Sequence, residues 1–532
     1  MVHRILVTDP VSEDGLQILR QAEDMEVDVN TGIPEDELCK LIPDYDALVV
    51  RSQTKVTAKV IEAGTRLKII GRAGVGLDNV DQQAATKRGI IVMNTPGGNT
   101  ISTAELSIAM LLALSRNIPQ ANASLRSGAW DRKKYKGVEV RGKTLGIIGV
   151  GRIGSEVARR ARAFAMDVIA FDPYMSEEVA EQIGIKMKSF EEVLKQSDYI
   201  TVHTPLNDET RDMIAKDQLA MMKKGARIIN CARGGIINEQ DLKEALESGH
   251  IAGAAIDVYP KEPPEERCVI DLPNTVCTPH LGASTAEAQN LVAVDLAHQI
   301  VDALQGKGIR NAVNIPYVDP KLMDQLGSYI QLGEKLGSLG SQLMKGRSLE
   351  SLRVDYHGEV TEFDVNPITV AVLKGILVPY LDTVVNYVNA PYIAKERGLA
   401  YSETKTSDEG AYTNVVSLTL KSKDMETILW GTIFAANRDP RVVRIDGFHV
   451  DMKPFGWHLL IKNVDKPGFL GSIGTLLGNA GINIADMTLG RQEKGGLVVT
   501  AIALDDRVPK EVLDQIEKLD LVEKYALVNL GD

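Results

Sequence analysis

The sequence predicts an α/β protein built on parallel sheets that are covered by helices. Over roughly the first three hundred residues, short apolar runs alternate with helical stretches, which is typical of strand-helix-strand units. Within that region an apolar run at 145–148, the glycine-rich stretch 149–154 and a helical pattern at 155–163 follow one another directly. A strand, a glycine turn and a helix in that order form the core of a dinucleotide-binding domain of the Rossmann type.

The three glycines of this stretch have separate tasks in such a domain. Gly149 allows the tight turn, Gly151 lets the backbone approach a pyrophosphate, and Gly154 lets the helix pack closely on the strand. The helix N-terminus then favours the phosphate charge. Three close glycines can also build an ordinary turn. A second apolar run that ends in the carboxylate of Asp172 favours the nucleotide site.

Asp172 also indicates which dinucleotide binds. A carboxylate at the end of the second strand suits the ribose hydroxyls of the adenosine half. No basic residue stands directly beside Asp172 to bind a 2′-phosphate, although Arg152 in the glycine turn is a possible exception. The sequence therefore favours NAD over NADP.

Composition limits the classes of function. A chain of 532 residues is long enough for about three or four domains. Its net charge of −12 argues against nucleic acid or an anionic membrane as a partner, and no apolar run approaches the ~20 residues of a membrane span. The four cysteines form no C-x-x-C pair or disulfide framework, and no metal site is expected. Because the sequence also shows no signal-peptide pattern, we expect a cytoplasmic protein.

The first hundred residues predict a parallel sheet of their own. We expect strands at 4–8, 25–29, 47–50, 68–71 and 90–93, and helices near 13–21, 35–41, 55–63 and 80–86. A further helix at 101–116 is expected to have a capped start at Ser102 or Thr103.

Two polar features follow strand ends in this region, where open α/β sheets bind ligands. They predict a substrate site made of Arg51, Ser52, Gly74, Val75 and Gly76. The alternative is a surface arginine and a plain glycine turn. A basic cluster at 130–136 is either a solvated loop or a phosphate site, and we include its Arg132 and Lys133 as candidate phosphate ligands from the same or a neighbouring subunit.

After Asp172 the alternation resumes, and the strand ends gather polar residues at one sheet edge: Thr204, Arg233, Asp257, Glu262 and His280. Arg233 could hold a carboxylate in a bidentate fork. His280 could take the hydroxyl proton as a hydride leaves the same carbon, and a nearby carboxylate such as Glu262 would raise the pKa of the ring. Together these residues favour hydride transfer at a 2-hydroxy acid.

These residues carry a family resemblance. The segments 149–154, 230–235, 257–264 and 278–285 resemble those of the D-isomer-specific 2-hydroxyacid dehydrogenases, and 72–79 and 94–99 narrow the resemblance to members that act on 3-phospho-D-glycerate. It implies oxidation to 3-phosphooxypyruvate, the first step of L-serine biosynthesis, with Arg233, Glu262 and His280 as the catalytic set. It places Val75 near cofactor and substrate and implies NAD contacts from Arg152, Ile153, Asp172, Thr204, Cys231, Ala232, Asp257, His280, Leu281, Gly282 and Ala283. The alternatives are a dehydrogenase of another small D-2-hydroxy acid and an NAD-sensing interaction protein.

The resemblance also sets the expected domains. A flavodoxin-like substrate domain at 1–100 and 284–315 is interrupted by the Rossmann-type NAD domain at 101–283, and an α+β intervening domain at 316–453 and a βαββαβ ACT domain at 454–532 follow. ACT modules pair across subunits and bind amino acids, so we expect a homo-oligomer, a dimer or tetramer, with L-serine as effector at Asn463, Asp465 and Asn483. Pro467 is expected in the first turn of the first ACT helix.

Overall fold

The computed structural model describes residues 2–316, 320–345, 347, 349–380, 385–406, 412–434 and 438–531, and these form four sheets. The predicted fold class is confirmed. Among the described residues, no helix is both long and apolar enough to cross a membrane.

The first sheet is parallel and has the strand order β2-β1-β3-β4-β5, which is the flavodoxin-like order. Its buried strands are almost wholly apolar, as expected for a sheet covered on both faces. The elements are β1 (His3–Val7), α1 (Glu13–Gln21), β2 (Met25–Val29), α2 (Glu35–Leu41), β3 (Ala47–Val50), α3 (Ala58–Ala63), β4 (Ile69–Arg72), α4 (Gln82–Lys87) and β5 (Ile91–Met93).

The second sheet is also parallel, and its order β8-β7-β6-β9-β10-β11-β12 reverses direction between β6 and β9. A dinucleotide binds at such a reversal, outside the carboxyl ends of the strands. The elements are α5 (Thr100–Arg116), α6 (Ile118–Arg126), β6 (Thr144–Ile148), α7 (Arg152–Ala163), β7 (Asp167–Phe171), α8 (Glu177–Gln182), β8 (Lys186–Met187), α9 (Phe190–Gln196), β9 (Tyr199–Val202), α10 (Lys216–Met221), β10 (Ala226–Asn230), α11 (Glu239–Glu247), β11 (Ile251–Ile256) and β12 (Thr275–Cys277).

The chain then returns to the first sheet through one long helix, α12 (Ala286–Leu304). Val292, Leu296 and Ile300 of α12 are buried in one cluster with Ile5 and Val7 of β1. Apolar burial of this kind is the main force that fixes one element on another. The helix therefore packs on the first sheet, although almost two hundred residues separate it from β5.

The remaining sheets pack on each other. The third has the order β14-β13-β15-β16-β17-β18, and the fourth, β20-β21-β19-β22, has the antiparallel βαββαβ arrangement. Leu460 and Val528 of the fourth sheet share a buried cluster with Leu420 and Leu429 of the third. The elements are α13 (Pro320–Leu343), β13 (Leu349–Gly358), α14 (Asn366–Leu377), α15 (Ala390–Glu396), β14 (Ala400–Thr406), β15 (Asn414–Ser422), β16 (Glu426–Phe434), β17 (Asp439–Ile445), β18 (Phe448–Met452), β19 (Trp457–Val464), α16 (Phe469–Asn479), β20 (Ile484–Arg491), β21 (Leu497–Leu504), α17 (Lys510–Glu517) and β22 (Val522–Asn529).

Two predicted helix starts are wrong. Helix α5 follows Asn99, with no side-chain cap, and the Ser102 hydroxyl donates to the Asn99 carbonyl instead of capping the helix. Pro467 lies outside α16, which begins after Gly468 with that glycine at a φ of 98°. A left-handed backbone is readily available to glycine, so the chain enters the helix by a turn rather than through Pro467.

Candidate active site

A cleft of about 730 Å³ lies where residues that follow strands of the first two sheets meet. Ser52 and Arg72 line it from the first sheet, and Arg233, Glu262 and His280 line it from the second. The carboxyl ends of parallel strands are the usual place for a ligand in this fold. The structure thus brings the three predicted catalytic residues together in one cleft with a part of the predicted substrate site.

His280 and Glu262 form a close polar pair in this cleft. The His280 Nδ1 and Glu262 Oε2 atoms are 2.6 Å apart, and the other Glu262 oxygen accepts from the Tyr259 backbone N–H at 3.1 Å. An ionised Glu262 makes Nδ1 the donor, so the proton sits on Nδ1 and Nε2 remains available as an acceptor.

The pair changes the protonation of both groups. The hydrogen bond to Glu262 is the main reason that the pKa of His280 lies above its usual value, and burial opposes the rise. Burial also favours the neutral form of Glu262, but the hydrogen bond and charge of His280 outweigh it and hold the pKa of Glu262 below its usual value. A histidine poised in this way can exchange a proton near neutral pH.

Asp257 holds the loop that carries His280. Its carboxylate is fully buried and accepts from the Leu281 N–H at 2.7 Å and the Gly282 N–H at 2.9 Å. The Thr278 hydroxyl donates to the same group at 2.6 Å. His280 lies between these contacts and has a φ of 55°, a left-handed backbone conformation that residues other than glycine rarely adopt. Burial is the largest cause of a raised pKa at Asp257.

Arg233 and the glycine loop at 74–76 approach each other directly. The Arg233 Nη1 atom donates to the Ala232 carbonyl at 2.7 Å, and its Nε lies 3.6 Å from an Asp78 carboxylate oxygen. A Cβ atom at Gly76 would meet the Arg233 guanidinium and the Asp78 carboxylate, so glycine allows this close approach without moving either side chain. Among the described residues, no acceptor takes the N–H of Val75 or Gly76, which leaves two donors beside Arg233.

Arg72 is a cleft residue that the sequence analysis did not select. It ends β4, and its Nε donates to the Asn79 side chain at 3.0 Å and to the Arg51 carbonyl at 3.2 Å. Burial lowers the pKa of Arg72 to about 10, so the side chain is still a cation at neutral pH. Its position at the end of a strand was the available signal, since Arg51 was selected for the same reason.

The predicted phosphate ligands, Arg51, Arg132 and Lys133, do not line the cleft. Arg51 donates through Nη1 to the Pro10 carbonyl at 3.1 Å and does not line the cleft, although its charge helps to lower the pKa of Arg72. Arg132 and Lys133 are exposed in the loop after α6 and do not line the cleft of their own chain. Their roles stay predictions.

The glycine turn after β6 has the shape that a pyrophosphate requires. Gly149 has a φ of 93°, and a Cβ at Gly154 would collide with the Gly149 carbonyl. A Cβ at Gly151 would meet no atom within 4 Å, so this backbone faces open space. Beside it, the buried Thr204 Oγ1 and His203 Nδ1 atoms have no hydrogen-bond partner among the described residues. These features fit NAD at this edge of the sheet.

Asp172 stands at the end of β7 and joins the two neighbouring turns. Its oxygens accept from the Val150 N–H at 2.7 Å and the Tyr174 N–H at 2.8 Å. Each carboxylate oxygen has a second lone pair, so the ribose hydroxyls could still be bound. The structure also places most of the other predicted NAD contacts around this edge: Arg152 and Ile153 begin α7, Cys231 and Ala232 follow β10, and Leu281, Gly282 and Ala283 follow β12.

The predicted effector residues are not equally accessible. Asn463 is 1% exposed, and its side chain bonds within its own sheet, to Thr500 and Val464. The exposed Asn483 amide donates to Asp505 at 2.7 Å. Asp465 accepts from Arg491 at 3.3 Å and from the Gly495 N–H at 3.2 Å. Asn463 therefore presents no group to a ligand in this structure.

Comparison with known proteins agrees with this site. Residues 108–282 match the model of the D-isomer specific 2-hydroxyacid dehydrogenase, NAD binding domain, 325–446 match the D-3-phosphoglycerate dehydrogenase intervening domain, and 457–521 match the ACT domain. The crystal structure of D-lactate dehydrogenase from Aquifex aeolicus complexed with NAD and lactic acid is similar over 59% of this chain and 100% of that one, with 27% identity and a TM-score of 0.51. Fold and site therefore define an NAD-dependent dehydrogenase of the D-2-hydroxy acid class.

Relatives that match along the whole chain narrow this class. D-3-phosphoglycerate dehydrogenase of Methanocaldococcus jannaschii is 45% identical and that of Bacillus subtilis 44% identical, each over 99% of this chain, and they are covered over 100% and 99% of their own lengths. This chain belongs to the D-3-phosphoglycerate dehydrogenase family.

The first prediction concerns the His280–Glu262 pair. Oxidation requires an unprotonated His280, so kcat/KM for oxidation should rise with pH through the raised pKa of His280, and the reverse reaction should fall through the same pKa. Glu262→Gln removes the negative charge, so the midpoint should move to lower pH, towards the ordinary histidine value of about 6.5. Glu265→Gln, in the same loop, is the control and should leave the midpoint unchanged. An unchanged midpoint in Glu262→Gln contradicts the assignment.

The second prediction concerns cofactor choice. Asp172→Ala should reduce the preference for NAD over NADP, because it removes the acceptor for the ribose hydroxyls and the charge that repels a 2′-phosphate. The preference is measured as the ratio of kcat/KM with the two cofactors. Asp167→Ala, at the exposed start of the same strand, should leave the ratio unchanged. A wild-type enzyme that uses both cofactors equally well would refute the role of Asp172.

Proposed function

We propose that the cleft between the first two sheets catalyses the NAD-dependent oxidation of 3-phospho-D-glycerate to 3-phosphooxypyruvate, the first step of L-serine biosynthesis. The observation that carries the proposal is the convergence of the His280–Glu262 pair, Arg233 and the cation Arg72 in one cleft. Full-length similarity to enzymes named for this substrate supports it.

The substrate carboxylate is assigned to Arg233 and the glycine loop. A guanidinium offers two parallel N–H donors to a carboxylate, and the N–H groups of Val75 and Gly76 add two more from the opposite domain. Binding of the carboxylate in this way would place C2 of the substrate beside the Nε2 atom of His280. Because the donors come from two domains, carboxylate binding would also hold the cleft together.

His280 is assigned the proton of the C2 hydroxyl group. Its Nε2 accepts that proton while the bond between C2 and its hydrogen breaks, and the resulting imidazolium is stabilised by Glu262. NAD, when bound at the edge of the second sheet, supplies the acceptor for the hydride that leaves C2. The two steps together convert the alcohol to the ketone, with one hydride and one proton removed.

The phosphate group is assigned to Arg72, with Ser52 beside it and Arg51 near. Within the described residues neither Nη atom of Arg72 has a hydrogen-bond partner, whereas its Nε is fixed. A held guanidinium with two unpaired nitrogen atoms suits phosphate oxygens. A small 2-hydroxy acid without phosphate would offer these two nitrogen atoms no acceptor, so the arrangement favours the phosphorylated substrate over other D-2-hydroxy acids.

The third prediction tests this assignment. Wild-type enzyme should form NADH from 3-phospho-D-glycerate, and it should reduce 3-phosphooxypyruvate far more efficiently than hydroxypyruvate. Arg72→Ala should lower kcat/KM roughly 10- to 100-fold for the phosphorylated ketone and far less for hydroxypyruvate, because a charge-assisted contact is lost. Arg51→Ala should act in the same direction but more weakly.

Two results would count against the proposal. If Arg72→Ala lowers kcat/KM equally for 3-phosphooxypyruvate and hydroxypyruvate, Arg72 does not bind the phosphate. The absence of turnover with every 2-hydroxy acid, with NAD binding retained, would favour the interaction-protein alternative.

Subunit assembly and location extend the proposal. Helix α6 buries none of its residues, and Ile118 and Leu125 on it are about half exposed, as is typical of a surface that pairs with another subunit. We therefore propose a homo-oligomer, a dimer or tetramer, in which the loop with Arg132 and Lys133 could reach a neighbouring cleft. The cytoplasmic location stays a prediction.

Feedback by L-serine through the ACT domain is also a proposal. Asp465 precedes the turn into α16, and two ACT domains paired edge to edge would bring this turn near Asn483 of the other subunit. The Asn483 amide could bind the carboxylate or amine of serine in exchange for its present partner Asp505. The buried Asn463 is left out of this site. Serine could inhibit only by favouring an assembly or domain arrangement with a poorer active site.

The fourth prediction follows from this site. L-serine at millimolar concentration should inhibit wild-type enzyme, and Asn483→Ala should need substantially more serine for the same inhibition, because the ligand loses an amide partner. Asn479→Ala, at the end of α16, is a control that should retain normal inhibition. Uninhibited wild type, or an unaltered response in Asn483→Ala, rules the site out.

A further inference from the structure

The segment 51–54 after β3 is held from both sides by side chains that the mechanism above does not use. On one side the buried Asp9 carboxylate accepts from the backbone N–H groups of Arg51 at 2.6 Å and Thr54 at 3.0 Å. On the other side the Asn79 amide donates to the carbonyls of Arg51 at 2.8 Å and Thr54 at 2.6 Å. The segment is therefore fixed through both its donors and its acceptors.

Asn79 also connects this segment to Arg72. Its Oδ1 accepts from the Arg72 Nε at 3.0 Å, and the same Nε reaches the Arg51 carbonyl at 3.2 Å. Asn79 thus bonds to Arg72 and also holds the second acceptor of that Nε, the Arg51 carbonyl. Without Asn79, the guanidinium would keep one longer hydrogen bond to a carbonyl that has itself lost a contact.

We propose that Asn79 is a positioning residue for the phosphate end of the substrate, acting through Arg72. This inference rests on the proposed function. Both fixed contacts of Arg72 are made by Nε, so its two Nη atoms are aimed by Asn79 while they remain available. An arginine that is already held loses less freedom when it binds phosphate, which raises affinity without any contact between Asn79 and the substrate.

A second asparagine supplies a matched contrast. The Asn94 amide donates to the Val75 carbonyl at 2.6 Å and so holds the loop assigned to the substrate carboxylate. Every 2-keto acid substrate has that carboxylate, whereas only the phosphorylated one has the group assigned to Arg72. Loss of the Asn94 side chain should therefore weaken the reaction of both kinds of 2-keto acid. Loss of the Asn79 side chain should weaken only the reaction of the phosphorylated one.

The test measures KM and kcat for reduction of 3-phosphooxypyruvate and of hydroxypyruvate by the full-length enzyme. Asn79→Ala should raise KM for 3-phosphooxypyruvate roughly tenfold with little change in kcat, and should leave KM for hydroxypyruvate nearly unchanged. Asn94→Ala should impair both substrates. In the Arg72→Ala background, Asn79→Ala should add almost nothing, because the residue through which it acts is gone.

The inference is overturned if Asn79→Ala impairs both ketones equally, or if its full effect persists in the Arg72→Ala background. Should Asn79→Ala fold poorly, Asn79→Asp keeps an oxygen for Arg72 but loses the amide donors to Arg51 and Thr54 and places a negative charge beside the guanidinium, so KM for 3-phosphooxypyruvate should rise and KM for hydroxypyruvate should change little. An equal rise of KM for both ketones in a folded Asn79→Asp enzyme would contradict the inference. If Arg72→Ala lowers kcat/KM equally for the two ketones, the assignment of the phosphate to Arg72 is wrong, and the role of Asn79 falls with it. If Arg72→Ala impairs mainly the phosphorylated ketone but Asn79→Ala does not, only the role of Asn79 is refuted.

Discussion

The hydrogen bond between His280 and Glu262 is the interaction on which the rest of the active site depends. It leaves Nε2 as the acceptor and raises the pKa of the ring, so that the histidine can both take and return a proton near neutral pH. The loop after β12 that carries His280 is held in place. Buried Asp257 fixes that loop through two backbone N–H groups, and His280 keeps a left-handed backbone between them.

The two parallel sheets explain why the cleft contains cations from two domains. Each sheet places polar residues at the carboxyl ends of its strands, and the two ends face each other. Arg233 belongs to the same sheet as the proton acceptor, whereas Arg72 and the glycine loop belong to the other. A substrate with a carboxylate at one end and a phosphate at the other could therefore contact both domains at once.

Most of the fold could be predicted from the sequence because its signals are local. Apolar runs of strand length alternate with amphipathic stretches, and the predicted positions of α1, α2, β2 and β3 match the structure. Helix α6 was not predicted, and it buries none of its residues. The starts of α5 and α16 differ from the prediction because the chain enters these helices at Asn99 and at Gly468, without the side-chain cap or the proline that was expected.

The site was predictable where a motif or a strand end marks it. Arg233, Glu262 and His280 converge as expected. The end of β4 marked Arg72 in the same way as the end of β3 marked Arg51, but only the structure shows which of the two lines the cleft, because that depends on packing between distant segments. For the same reason the sequence could not show that Asn463 is buried among its own strands, or that Arg51 turns to Pro10. Hydrogen-bond partners far apart in the chain, such as Asp257 with the loop after β12, are likewise outside the reach of local patterns.

The most direct test of this account is the turnover of His280→Ala, measured by NADH formation from 3-phospho-D-glycerate at saturating NAD, with NAD binding measured separately. The account predicts a fall in kcat of roughly 10²–10⁴-fold, as expected for the loss of a general base, with NAD affinity close to that of the wild type. Turnover within a few-fold of the wild type would contradict it, because the proton of the hydroxyl group would then have another acceptor.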